Sequence, residues 1–334
     1  MVQDKELSHP KEKRSWRKLL WLGKLLITLL ILAYIYKTFR NEQKGIADVG
    51  RIFGNVLVPG NALVLVLMLL LVPVNWALES LKWKQLVRRV VPLTFWDAFR
   101  GTLTGLAIGV AAPAQLGDTI GRVAALKSDN RLKAIGAAIV SNGIQFYVSV
   151  VGGALGWFLV QDQLQMNESG KQGLNFLLIF IIFSVWLVML FRGRLNEWDP
   201  AKKYMQKFLG YVRIIGEYTK SDLLLATLYG TLRYFVFLSQ FVLALSLFDF
   251  KLGYIALSSC VALIFLAKTL IPAINVLGDL GLREFTALFV FKQYNLPPEE
   301  IITATFLIWI INVLGPILIG IFLIWKYKWK NLIR

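Results

Sequence analysis

The chain is 334 residues long, 57% of them apolar, with 37 Lys and Arg against 20 Asp and Glu, a net charge of +17. Soluble domains carry about 45–50% apolar residues, and the excess here comes in long blocks, which excludes an ordinary soluble enzyme and a disordered or collagen-like chain. One Cys (Cys260) and one His (His9) exclude an internal disulfide and a Cys/His metal centre, so no cofactor or metal is expected. The basic residues sit between the apolar blocks, a pattern of a multi-pass membrane protein and not of a nucleic-acid binder.

In chain order, residues 1–18 form a basic segment and Leu19–Tyr36 reads as an uncleaved first span. Further full spans are expected at Ala62–Leu78, Ala134–Val160, Leu174–Phe191, Leu223–Phe248 and Ile301–Trp325. Two other apolar stretches, Phe99–Ala112 and Tyr254–Ile271, run straight into Pro, Gly and charged residues. Residues 327–334 form a basic tail, so the expected organisation is a single transmembrane domain over 19–326 with basic ends.

Lys and Arg set the orientation. With the N-terminus cytoplasmic, the inner segments hold 26 and the outer segments seven; the remaining four (Lys24, Arg233, Lys268, Arg283) lie within apolar segments. Both termini are then cytoplasmic and the location is the cell's inner membrane. The basic segments Leu81–Arg100 and Arg122–Lys133 both require the inside, so the stretch between them must enter and return on one face. By the same count the stretch after Tyr254 returns to the outer face. The expected fold is therefore all-α and integral to the membrane, with six full spans and two opposed re-entrant hairpins.

The two hairpin turns match. Pro113-Ala114 leads to Leu116-Gly117-Asp118 with Arg122 four residues on; Pro272-Ala273 leads to Leu277-Gly278-Asp279, then Gly281 and Arg283, again four residues after the Asp. Pro and Gly break helices, and Asp and Arg four apart share a helical face. The flanking spans correspond with reversed topology, giving inverted repeats at about 61–160 and 223–325, an arrangement typical of secondary transporters.

On these residues the chain resembles the membrane region of lysylphosphatidylglycerol synthetase, a flippase-like family of polytopic proteins. The resemblance covers nearly the whole chain. It rests on Asn75-Trp76, Glu79, Lys82 and Trp83, on Pro113, Gly117, Asp118 and Arg122, and on Pro272 to Gly281 with Arg283 and Glu284. Asp118 stands where the family usually has Glu, and Arg122 comes one residue later than is common; Arg233-Tyr234 with Gln240 resembles a branch that tolerates this. The resemblance implies the lipid-moving half of the synthetase without its soluble aminoacyl-transferase domain.

Ionisable groups at membrane depth are costly and functional by default. The candidate headgroup-binding residues are Asp118, Arg122, Arg233, Asp279, Arg283 and Glu284, with Glu79 and Lys268 as secondary candidates. The Asp–Arg pairs either hold the hairpins shut or line a polar groove in which Arg forks grip a phosphate. Glu79 and Lys82, three apart, read as a surface pair; Asn142, Gln145 and Asn312 read as polar glue between helices. The P-loop pattern is missing, and no catalytic residue is assigned. The function expected is translocation of a phospholipid or polyprenyl-phosphate-linked lipid between leaflets, not catalysis. A lipid-modifying enzyme and an ion-coupled anion carrier are the alternatives. The partner expected is membrane lipid and not nucleic acid, and a homodimer is compatible with the sequence.

Overall fold

A computed structural model describes residues 54, 56–111, 116–126, 134–197, 206, 213–248, 250–271 and 282–326. The expected first span Leu19–Tyr36, the basic ends, and the turn residues Pro113, Pro272, Gly278, Asp279 and Gly281 lie outside these residues.

The described residues are helical throughout their regular structure. In chain order the helices longer than two turns are α1 (Ala62–Val87), α2 (Phe95–Ala111), α3 (Leu116–Ala124), α4 (Ala134–Val160), α5 (Glu168–Phe191), α6 (Lys220–Leu245), α7 (Tyr254–Leu270), α8 (Leu282–Phe291), α9 (Pro298–Trp309) and α10 (Gly315–Lys326). A π-helical turn, Ile310–Leu314, joins α9 to α10. Among the described residues, five helical segments are long and apolar enough to cross a membrane: Pro59–Val87, Ala134–Gln163, Glu168–Arg194, Lys220–Leu245 and Pro298–Lys326. They fall on the five later spans expected from hydropathy.

Capping explains where the boundaries moved. Helix α5 begins six residues before Leu174 because the Asn167 side chain accepts from the Gly170 N–H at 2.9 Å. Helix α6 begins three residues before Leu223 because Thr219 and Asp222 form a reciprocal capping box. Helix α1 runs on through the basic stretch to Val87, so Lys82 and Lys84 are helical residues and not loop charges.

Apolar side chains point outward as well as inward. Leu63, Val66 and Leu70 on α1, and Phe176, Phe180, Phe183 and Trp186 on α5, are exposed, whereas Glu79, Lys82, Arg122, Asp222 and Arg283 are buried. Water as the outer solvent would disfavour this arrangement; a bilayer favours it.

Helices α1 and α6 form the central antiparallel pair. Gln85 meets Asp222 at one end, Glu79 meets Arg233 near the middle, and Gln240 donates to the Met68 carbonyl toward the other end. Around this pair the packing is balanced. Helix α4 packs on α7 as α10 packs on α2, α2 on α3 as α7 on α8, α3 on α4 as α8 on α9, and α1 on α4 as α6 on α9. Glycines set the closest approaches. A Cβ on Gly156 would fall 2.9 Å from the Ser259 carbonyl oxygen, and one on Gly320 would fall 2.3 Å from that of Leu103. Helices α2 and α3 meet almost backbone to backbone: a Cβ on Gly121 would fall 2.6 Å from Gly105 Cα, and one on Gly117 would fall 2.8 Å from Gly109 Cα. These two contacts make the pair antiparallel. Small residues permit such approaches where membrane helices have dispersion and hydrogen bonds to gain.

Candidate functional site

The site is built on α1. Asn75, Glu79 and Lys82 recur at i, i+4 and i+7, which puts them on one helical face. That face turns inward, toward α6, α4 and α3, and Glu79 is 2% exposed and Lys82 0%. The expectation of a surface pair is thus corrected. Two long charged side chains three apart are usually solvated, but here α6 and α4 cover them.

Glu79 is the hub. Its Oε2 lies 2.8 Å from Lys82 Nζ and 3.2 Å from Arg233 Nε. Its Oε1 accepts from an Arg122 terminal nitrogen at 2.8 Å. Arg122 also donates through Nε to Asp118 Oδ1 at 2.9 Å, the i,i+4 pair read from the sequence. Lys82 donates to Gln145 Oε1 on α4 at 3.0 Å, so Gln145 belongs to the cluster. Two indole rings flank it, with Arg233 5.4 Å from the Trp76 ring and Arg122 5.9 Å from the Trp83 ring. The Nε1–H groups of both tryptophans are buried without a partner among the described residues.

The structure therefore brings Asp118, Arg122 and Arg233 together around Glu79, the residue given second rank from sequence, and adds Lys82. The lost signal for Lys82 was its place on the Asn75–Glu79 face. Three cations face two carboxylates, so these five groups carry one surplus positive charge. Only Arg233 and Asp118 have side chains that reach the protein surface appreciably.

In the second half, Arg283 and Glu284 are both buried on α8, and Arg283 donates to Glu284 Oε1 at 2.8 Å. Lys268 stands half-buried in the last turn of α7. Asn312 accepts from Asn75 Nδ2 at 3.3 Å, a link between α1 and the last span.

At one end of the α1–α6 seam lies a second ionic group. Asp222 accepts from Gln85 Nε2 at 3.0 Å, from Arg89 Nε at 3.0 Å and from Arg88, while Thr219 N–H donates to it at 3.1 Å. Tyr218 donates its hydroxyl to the Leu86 carbonyl at 2.9 Å. Burial, with Asp222 and Glu217 adding to it, pushes the Tyr218 hydroxyl above its ordinary range, so it stays a donor.

The model of the family described as lysylphosphatidylglycerol synthase TM region matches residues 21–320. Neither a curated protein nor a solved structure matches the chain. The family match agrees with the inside-out arrangement of apolar residues: this is a multi-pass membrane protein of lipid metabolism or transport.

Proposed function

Because the chain belongs to the lysylphosphatidylglycerol synthase TM region family, we propose that it moves a phospholipid or polyprenyl-phosphate-linked lipid between leaflets, receiving the headgroup at the Glu79 cluster. The observation that carries this reading is the charge count. Lys82, Arg122 and Arg233 against Glu79 and Asp118 leave one positive charge buried between α1, α3 and α6. Such a charge is costly in hydrocarbon until an anion arrives. A phosphodiester brings one negative charge, and planar guanidinium forks match its oxygens. In this mechanism the phosphate accepts from Arg122 and Arg233 while Glu79 keeps Lys82 and Asp118 keeps the Arg122 Nε–H. The acyl chains stay in the bilayer, and no residue is given a catalytic role.

The same reading takes the α2–α3 and α7–α8 pairs as re-entrant from opposite faces, within six full spans counting Leu19–Tyr36. Three features support it. Helix α3 has nine residues, about 14 Å of rise against a hydrocarbon core of about 30 Å. Along α7, Ser259 and Ala262 meet Gly156 and Leu266 meets Gly153, so α7 ends beside the middle of α4. The balanced packing around α1 and α6 is what inverted repeats would produce. The basic residues Arg88 and Arg89 mark the cytoplasmic end of the seam, with both chain termini on that side of the inner membrane. Rocking of one half against the other would expose the cluster to each leaflet in turn.

The test is reconstitution in vesicles with labelled anionic lipid, scoring leaflet exchange. The double variant Asp118→Asn with Arg122→Gln keeps the net charge and removes one fork. It is expected to fold, judged by thermal unfolding in detergent, and to lose exchange. Normal exchange in the folded variant would remove Arg122 from the mechanism.

A further inference from the structure

A pair of buried amides lies beside the charged cluster and is not used by it. Asn75 stands one helical turn before Glu79 on the same face of α1. It shares a single hydrogen bond with Asn312, from Asn75 Nδ2 to Asn312 Oδ1 at 3.3 Å. Both residues are 1% exposed, and the bond leaves Asn75 Oδ1 and Asn312 Nδ2 buried without partners among the described residues. Asn312 lies in the π turn that interrupts the last span, a local distortion that gathers at functional sites. Buried amide atoms left unpaired carry their full desolvation penalty, and a native fold retains them for a reason.

We propose that Asn75 and Asn312 form a subsite that recognises a hydroxyl on the headgroup beside its phosphate; this rests on reading the Glu79 cluster as the phosphate site. The pair presents one free acceptor and one free donor, and a hydroxyl is both. A phosphate oxygen cannot donate to Oδ1, an ammonium cannot accept from Nδ2, and a metal ion would use Oδ1 alone. Exchanging oxygen and nitrogen in both amides again leaves one free acceptor and one free donor, so the argument does not depend on how the amides are oriented. Four helical residues rise about 6 Å, the reach of a short polyol attached to the phosphate. Trp76, next to Asn75, adds an Nε1–H that has no partner among the described residues and carries Arg233 against its ring, so it links the two subsites.

The test compares labelled phosphatidylglycerol with labelled phosphatidylethanol in phosphatidylcholine vesicles. Both headgroups carry one negative charge, and only the first carries hydroxyls. Wild-type protein is expected to exchange phosphatidylglycerol about tenfold faster, the worth of one or two hydrogen bonds. In Asn75→Leu and in Asn312→Leu the ratio should fall to about one. As a readout independent of transport and of the variants, short-chain phosphatidylglycerol should raise the unfolding temperature of the wild type in detergent more than short-chain phosphatidylethanol does. Equal thermal shifts, equal and measurable exchange of both lipids by the wild type, or a ratio kept in the folded variants would overturn the subsite and leave the amide pair holding water. Exchange of neither lipid, with the difference in thermal shift intact, would overturn transport and uphold the subsite.

Discussion

Replacing Glu79 by Gln isolates the hub carboxylate with little change of shape. In the wild type that carboxylate, 2% exposed, faces Lys82, Arg122 and Arg233. The substitution raises the local surplus from one positive charge to two. Removing one partner of a buried ion pair typically costs about 3–5 kcal/mol, because the other is left buried and uncompensated. Here Arg122 retains Asp118 and Lys82 retains Gln145, so the loss falls mainly on Arg233. The expected cost is therefore at the lower end, about 3 kcal/mol. The double variant Glu79→Gln with Lys82→Met removes one charge of each sign, restores the surplus of one, and should lie closer to wild type than the single variant. Thermal unfolding in detergent, followed for wild type and both variants at one ionic strength, measures the order. A single variant as stable as wild type, or a double variant less stable than the single, would refute the electrostatic argument.

Three further outcomes are expected. Gly121→Leu places a branched side chain where even a Cβ would lie 2.6 Å from Gly105 Cα; it should part α2 from α3, lowering the unfolding temperature and abolishing exchange, whereas Gly173→Leu, with open space around it, should change neither. Asp222→Asn weakens the helix cap and both arginine contacts at once. It should cost about 1–2 kcal/mol, the range for a lost cap, since Arg88 and Arg89 are half-exposed and their share is screened by water; denaturant unfolding of the purified protein gives the value. Single Cys residues in 161–173 and in 192–222, on a Cys260→Ala background, should be labelled by an impermeant thiol reagent from opposite sides of the membrane, and labelling of both from one side would reverse the assigned topology.

The all-helical class, five of the spans and the family were legible in the sequence, because a bilayer demands about 20 apolar residues for each helix and that demand is local. The Asp118–Arg122 pair was legible for the same reason, since i,i+4 spacing puts both groups on one turn of α3. What surrounds that pair was not. Lys82 and Glu79 look solvated in sequence because spacing says nothing of what covers a face; only the packing of α6 and α4 on α1 buries them. Arg233 lies over 150 residues from Glu79 along the chain, and the antiparallel register of α1 and α6 is what brings them within 3.2 Å. The Asn75–Asn312 contact, between residues 237 apart, likewise requires the last span to lie against α1 with its π turn in register. Hydropathy and helical period thus determined the elements and their faces, while the glycine-set approaches and helix register decided which charges meet, because an ion pair needs contact within about 4 Å and no local pattern encodes that distance.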